Sequence, residues 1–279
     1  MSNNPRPTRS QQREEARAKA RELREKRASG EKRKKLLVTT GIALGIVLAV
    51  AGIVYAIVIA MSTPNEKVDN SNKVPANVTK LGGVVIGKDL KIASAAEIEA
   101  TNRVVIYQDY QCPICQLFEV PNSSQLKTWA ESGLATIEIH PISFLDGQSR
   151  NNYSSRATNA AFCVANSQPE KFFAVNSALY ANQPEEQTAG PSDSDLKSTL
   201  SGAGVNMNAE MNTCIDQKRY AKFIENRTAE ALSKPAVTGT EIPTGTPFIL
   251  VNGVKYDFKE YEQLTNPALF NQFFENNRK

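Results

Sequence analysis

Residues 103–119 read RVVIYQDYQCPICQLFE, and this stretch decides how the rest of the chain is read. It opens with an apolar, β-branched run, Arg103-Val104-Val105-Ile106-Tyr107. It closes with helical spacing at Leu117, Phe118 and Val120, continued by Leu126 and Trp129. Between the two stand Cys112-Pro113-Ile114-Cys115. A strand that ends in two cysteines opening a helix is the geometry of a thiol-disulfide redox site.

The chemistry follows from that position. The first turn of a helix has unpaired N–H groups and a positive dipole end, so a sulfur there is stabilised as thiolate. Cys112 falls at the cap, and Pro113 at the first helical position, where its missing N–H is no loss. Thiol pKa values fall from about 8.5 to roughly 3.5–7.5 in such settings, which predicts Cys112 as the nucleophile. Cys115, three positions on and facing the same side, is the expected resolving cysteine.

Charge is unevenly spread. Residues 1–35 hold 13 Lys and Arg against 5 Glu, the next 26 residues carry none, and the net +4 of the chain leaves −4 on the rest. An acidic body with a basic head argues against a nucleic-acid-binding core and directs attention to the membrane. Leu36 to Met61, LLVTTGIALGIVLAVAGIVYAIVIAM, is long enough to cross a hydrocarbon layer that needs about 20 apolar residues. The basic cluster Lys32-Arg33-Lys34-Lys35 at its amino end predicts a cytoplasmic N-terminus, with the body outside the membrane. A cleaved signal peptide, ending near Val58-Ile59-Ala60, is the competing reading, although such apolar regions run only about 7–15 residues. All four cysteines lie beyond this span, where disulfides persist.

The expected organisation is therefore a solvated basic head over 1–35, a transmembrane helix over 36–61, a polar spacer over 62–82 and a folded domain over 83–279. Within the domain the pattern predicts strands near 84–86, 103–109 and 134–140, and a helix from Pro113 to about Glu131 between the last two. That βαβ order makes their pairing parallel. Residues 149–233 read as a helical insertion, with helical patches near 157–166, 170–181, 195–200 and 218–232. Phe248-Ile249-Leu250-Val251 then forms a strand, and Asn252-Gly253 a hairpin turn to an antiparallel return at Val254-Lys255-Tyr256. A C-terminal helix carries Leu264, Leu269, Phe270 and Phe273.

The stretch VVIYQDYQCPICQLFE, followed after the insertion by GTPFILVNG at 245–253, resembles the DsbA-like thiol:disulfide oxidoreductases, in particular their membrane-anchored, Gram-positive and actinobacterial type. The resemblance covers roughly Gly83 to Lys279 and implies an α/β thioredoxin fold with a helical insertion. It also implies that Pro247 is cis and faces the cysteine pair, with Thr246 offering backbone hydrogen bonds to a substrate peptide. A trans proline at a strand start is the ordinary alternative. Two positions depart from the family. Many relatives carry a buried acid six residues before the first cysteine, where this chain has Ile106; Asp109 is nearer the pair, but on a different face. Strong oxidants often have His between the cysteines, where Ile114 cannot donate to a thiolate, and that makes the pair less oxidising.

Cys163 and Cys214 both fall in the insertion. Bridged, they would close a loop of about fifty residues and act as a staple worth roughly 4 kcal/mol, as in some actinobacterial relatives. A second redox pair is the alternative, although neither sits in a CxxC at a helix start. Zinc is not expected, since one pair is split and His140 is the only histidine. His140, at a strand end, reads as a packing residue rather than a general base. The expectation is an extracytoplasmic, membrane-anchored oxidoreductase acting through Cys112 and Cys115 on exported proteins with cysteines. It needs no cofactor or metal, and is reoxidised by a membrane quinone-linked protein of the DsbB or vitamin K epoxide reductase type. A reductase or isomerase with the same fold, and a non-catalytic peptide-binding scaffold, are the alternatives.

Overall fold

The computed structural model describes residues 72–279. The basic head, the apolar span 36–61 and the first half of the spacer lie outside the described residues. Among the described residues no helix is long and apolar enough to cross a membrane.

A five-stranded sheet of order β1-β3-β2-β4-β5 forms the frame. Its strands are β1 Val84–Ile86, β2 Asn102–Gln108, β3 Ala135–Pro141, β4 Phe248–Val251 and β5 Val254–Lys255. The β2–β3 pair is parallel, with Val104 opposite Ile137 and Ile106 opposite Ile139, and the other pairs are antiparallel. The central strand β2 is buried on both faces from Val104 onward, which is why it reads as a continuous apolar run. Alternation divides its side chains. Val104 and Ile106 face the main core with Phe118, Leu126 and Phe270, while Val105 and Tyr107 face a smaller cluster with Ala236, Phe248 and Leu250.

The crossover from β2 to β3 is α2, Pro113–Ser132, preceded in the chain by a short helix α1, Ala95–Ala100. Gly133 ends α2 in a left-handed conformation, φ 74°, that glycine adopts without strain. The core face of α2 carries Cys115, Phe118, Leu126 and Trp129, and Val120 faces solvent at 56% exposure, which its place in the apolar pattern did not suggest. The insertion contributes α3 Tyr153–Ser167, α4 Phe172–Ala181, α5 Asp193–Gly202, α6 Ala209–Asp216 and α7 Ala221–Ala231. Most of α3 is buried, and the other insertion helices gather round it. Asn252 and Gly253 both take positive φ, 50° and 88°, the turn that an Asn-Gly pair favours between antiparallel strands.

Several elements differ from the sequence reading. The α1 and α6 helices have no strong apolar period, and each is started instead by a side-chain cap, Ser94 and Asn208 respectively. The C-terminal helix is two, α8 Tyr261–Thr265 and α9 Pro267–Asn277, because Asn266 before a proline is held extended. Phe270 of α9 meets Phe118 edge-on at 4.9 Å between centroids, and Phe274 stacks on Trp129 at 4.1 Å. The second half of the expected spacer lies on the domain. Pro75 is buried there, Asn77 Nδ2 donates to Ala165 O at 2.9 Å, and Val78 packs on the core.

Candidate functional site

Strand β2 runs directly into the cysteine loop. Cys112 is the N-cap of α2, with extended backbone at φ −77° and ψ 115°, and Pro113 follows at the first helical position. Its N–H donates to Asp109 O at 3.0 Å, and its carbonyl accepts the first helical bond from Gln116 N at 3.2 Å. Register brings the second half of the site. Phe248 pairs with Tyr107, so Thr246 and Pro247 lie just past the end of β2, beside the sulfur. The Thr246–Pro247 bond is cis, and Cys112 Sγ donates to Thr246 O at 3.3 Å. Cys112, Cys115, Thr246 and Pro247, separated by up to 135 positions in the chain, are thus neighbours.

The two thiols are unbonded and both nearly closed from solvent, at 5% and 2% exposure. Their acidities diverge. A hydrogen bond from the Cys115 thiol, more than any other contact, lowers Cys112; burial opposes it, and the Thr246 side chain and Cys115 N–H add to it. Burial pushes Cys115 well up, reinforced by the charge of Cys112 and by the loss of the hydrogen bond it donates. The contact between them thus favours the charged form of one sulfur and the neutral form of the other. The Thr246 hydroxyl is buried and has no hydrogen-bond partner beside the neutral thiol. It is a donor in reserve, able to turn to the sulfur once that is charged.

Two carboxyls underlie the site. Asp109 is fully buried; Oδ1 accepts from Gln111 N at 2.8 Å and Ser154 Oγ at 2.7 Å, and Oδ2 from Leu145 N at 2.8 Å. Burial, only partly offset by these donors, pushes it up to about 7. Glu119, one turn of α2 beyond Cys115, accepts from Asn176 Nδ2 at 2.9 Å and Ser177 Oγ at 3.3 Å through Oε1, while Oε2 is buried without a partner. Burial pushes it to about 7 as well. Neither acid occupies the position of Ile106, which is core. Asp109 stands out in the sequence as an acid close to the cysteines, whereas nothing local marks Glu119 or the Thr246 hydroxyl, whose surroundings come from residues distant in the chain.

The remaining residues singled out from sequence lie elsewhere. Cys163 and Cys214 are bonded to each other, S–S 2.00 Å, joining α3 to α6 inside the insertion. His140 lies within β3, its Nε2 2.9 Å from Glu138 Oε1 and its ring stacked on Tyr107 at 4.2 Å. Arg103 pairs with the same carboxylate. Among the described residues no group of three or more His, Cys, Asp or Glu side chains is placed to hold a metal ion.

Comparison with known proteins agrees with this architecture. The family model described as thioredoxin matches residues 95–267. The serine/threonine-protein kinase PknE of Mycobacterium tuberculosis is 30% identical over 155 residues, 54% of this chain and 26% of that protein. The chain thus spans about a quarter of the length of the curated relatives it matches. Among solved structures, the reduced disulfide bond oxidoreductase DsbG of M. tuberculosis aligns with a TM-score of 0.57 at 24% identity, covering 76% of this chain and 92% of that one. MdbA, a thiol-disulfide oxidoreductase from Actinomyces oris, aligns at 0.56 and 18%, covering 73% and 92%. Reduced DsbA of M. tuberculosis aligns at 0.53 and 21%, covering 70% and 98%. With the family match extending over more than half of its length, this chain belongs to the thioredoxin family, and its fold is that of the DsbA-like members.

Proposed function

We propose that this chain is a protein thiol:disulfide oxidoreductase that donates a Cys112–Cys115 disulfide to cysteine pairs of exported proteins. The observation that carries the proposal is the divergence of the two sulfurs, with Cys112 lowered at a helix N-cap and Cys115 raised beneath it. A substrate thiolate attacks Cys112 of the disulfide, the intramolecular S–S bond breaks, and its electron pair leaves on Cys115, which takes a proton. The substrate's second thiolate then attacks its own bridged sulfur, and Cys112 departs as thiolate. Two electrons have passed to the enzyme and the substrate holds a disulfide. A lowered Cys112 is the better leaving group in that last step. Thr246, whose carbonyl already accepts from Cys112, offers main-chain groups to the substrate peptide beside Pro247.

The reduced enzyme then requires an oxidant. The apolar, uncharged span 36–61 behind a basic cluster supports a membrane-anchored domain facing away from the cytoplasm. We place reoxidation with a membrane quinone-linked protein of the DsbB or vitamin K epoxide reductase type. One observation favours a second reading, a reductase or isomerase: Ile114 between the cysteines supplies no donor to the thiolate. Titration of the pair against glutathione separates the two. A reduction potential well above about −200 mV supports the oxidase, and one near roughly −270 mV supports the reductase. Oxidation of a dithiol peptide by the oxidised chain, undiminished in Cys112→Ala, would overturn both.

A further inference from the structure

The cysteine loop is tied to the insertion by side-chain amides and a tyrosine. Beyond α4 the chain turns through Gln183, whose Nε2 donates to two carbonyls, Tyr110 O at 3.1 Å and Cys112 O at 3.0 Å. Gln111 Nε2 reaches Glu185 O at 3.3 Å and Thr188 O at 3.4 Å on the same turn. Gln116, in the first turn of α2, donates to Tyr180 O at 2.8 Å, and Tyr180 Oη donates to Asp109 O at 3.1 Å. Of these contacts only that of Gln183 falls on the main chain of Cys112 itself.

We infer that Gln183 is a positioning residue for Cys112, holding the main chain on both sides of the cysteine so that its sulfur stays at the helix start. The inference rests on the reading of Cys112 as the redox nucleophile. Its physical basis begins with Pro113. The Cys112–Pro113 peptide has no N–H, so its carbonyl is the only polar atom by which it can be held. Both acceptor sites of that carbonyl are used, one by Gln116 N and one by Gln183. The other amide proton of Gln183 takes the carbonyl two residues earlier. One rigid, planar amide that satisfies two carbonyls at this spacing fits a single arrangement of the intervening main chain.

That arrangement sets the sulfur. Cys112 Sγ lies against Thr246 and beside the Cys115 N–H and thiol, the groups that lower it. Hydrogen bonds to sulfur weaken quickly as distance and angle drift, so freedom in the Cys112 torsions translates into a weaker thiolate. Gln183 touches neither sulfur in any hydrogen bond among the described residues, and its effect is therefore indirect. A purely structural tie would change stability and leave the acidity of the cysteine where it is.

The test measures the alkylation rate of Cys112 by iodoacetamide against pH, on the reduced full chain, with the modified peptide identified by mass. Gln183→Met keeps most of the side-chain volume and removes both donors. We expect the midpoint to rise so that the thiolate fraction at a given lower pH falls roughly 3–10-fold, matching the loss of about one net hydrogen bond. The glutathione equilibrium should move by a similar factor towards the disulfide. Asn182→Ala, which removes only a bond within the end of α4, should move neither. If Gln183→Met does not fold, Gln183→Asn, which keeps the amide but withdraws it by one methylene, is read in the same way. A wild-type midpoint at the ordinary thiol value of about 8.5 would overturn the reading of Cys112 and this inference with it. A low wild-type midpoint that the folded variant leaves in place would overturn the inference alone.

Discussion

The chain holds two pairs of cysteines, and solvent exposure does not tell them apart. Cys112 and Cys115 are 5% and 2% exposed, Cys163 and Cys214 0% and 1%. Their surroundings differ. The first pair stands three residues apart on the opening turn of α2, with donors gathered round one sulfur. The second joins two helices across 51 residues, in a bed of apolar side chains where Asn159 Nδ2, 3.8 Å from Cys163 Sγ, is the polar neighbour. Helix position and local donors therefore set the proposed redox pair apart from the bonded one. Burial without them gives a staple.

The largest effect expected from this contrast is on turnover. Cys112→Ala should reduce dithiol oxidation to the uncatalysed background, while the double variant Cys163→Ala/Cys214→Ala should retain most of it in a stopped assay with a dithiol peptide. Comparable losses from the two changes would break the division of roles. The double variant should instead be seen in denaturant unfolding. Opening a loop of this length lowers stability by about 4 kcal/mol in the chain-entropy model, and the thiolate midpoint of Cys112 should stay where it was.

A smaller effect concerns pH. Asp109 and Glu119 are both raised to about 7, against ordinary values near 4 in the unfolded chain. Between those limits the folded state holds more protons than the unfolded one, so stability is greatest at the acid end and declines as pH rises from about 4 through about 7. Each group contributes on the order of a few kcal/mol across that window. Urea unfolding at pH 5 and pH 8 should show the decline, and Asp109→Asn should flatten it. The insertion disulfide carries no such titration, so a slope unchanged in both Asp109→Asn and Glu119→Gln would remove the carboxyls from the account.

What the sequence disclosed and what it concealed divide along the same line. The β2–α2–β3 unit, the Asn252-Gly253 hairpin and the CxxC at a helix start are all short-range patterns, legible because period and turn chemistry are local. Asp109 was legible as an acid close to the cysteines, but its burial and its partners were not. The main-chain partner of Asp109 at Leu145 and the hydroxyl at Ser154 lie 36 and 45 residues on, and only the packing of the insertion against the loop brings them in. Helix α6, which carries Cys214, escaped the same reading because its start depends on the Asn208 cap and its apolar period is short. Val120 misled in the other direction, since an apolar residue in a helical run belongs to the core only if it falls on the inward face, and this one does not.

The most delicate prediction concerns Thr246. Its carbonyl accepts from the Cys112 thiol, while its hydroxyl is buried with no hydrogen-bond partner in the neutral state. A buried donor left unsatisfied is unfavourable, and it gains most when a charge appears beside it. Ionisation of Cys112 provides that charge, so the hydroxyl favours the thiolate over the thiol. Thr246→Val keeps the branched shape and removes only the hydroxyl. It should raise the alkylation midpoint of Cys112 enough to lower the thiolate fraction roughly 3–10-fold below the midpoint, with little change in unfolding. Since the carbonyl contact survives in the valine variant, an unmoved midpoint would assign the lowering of Cys112 to Cys115 and the helix start alone. The contrast between the two cysteine pairs would then rest on α2 without help from the loop before β4.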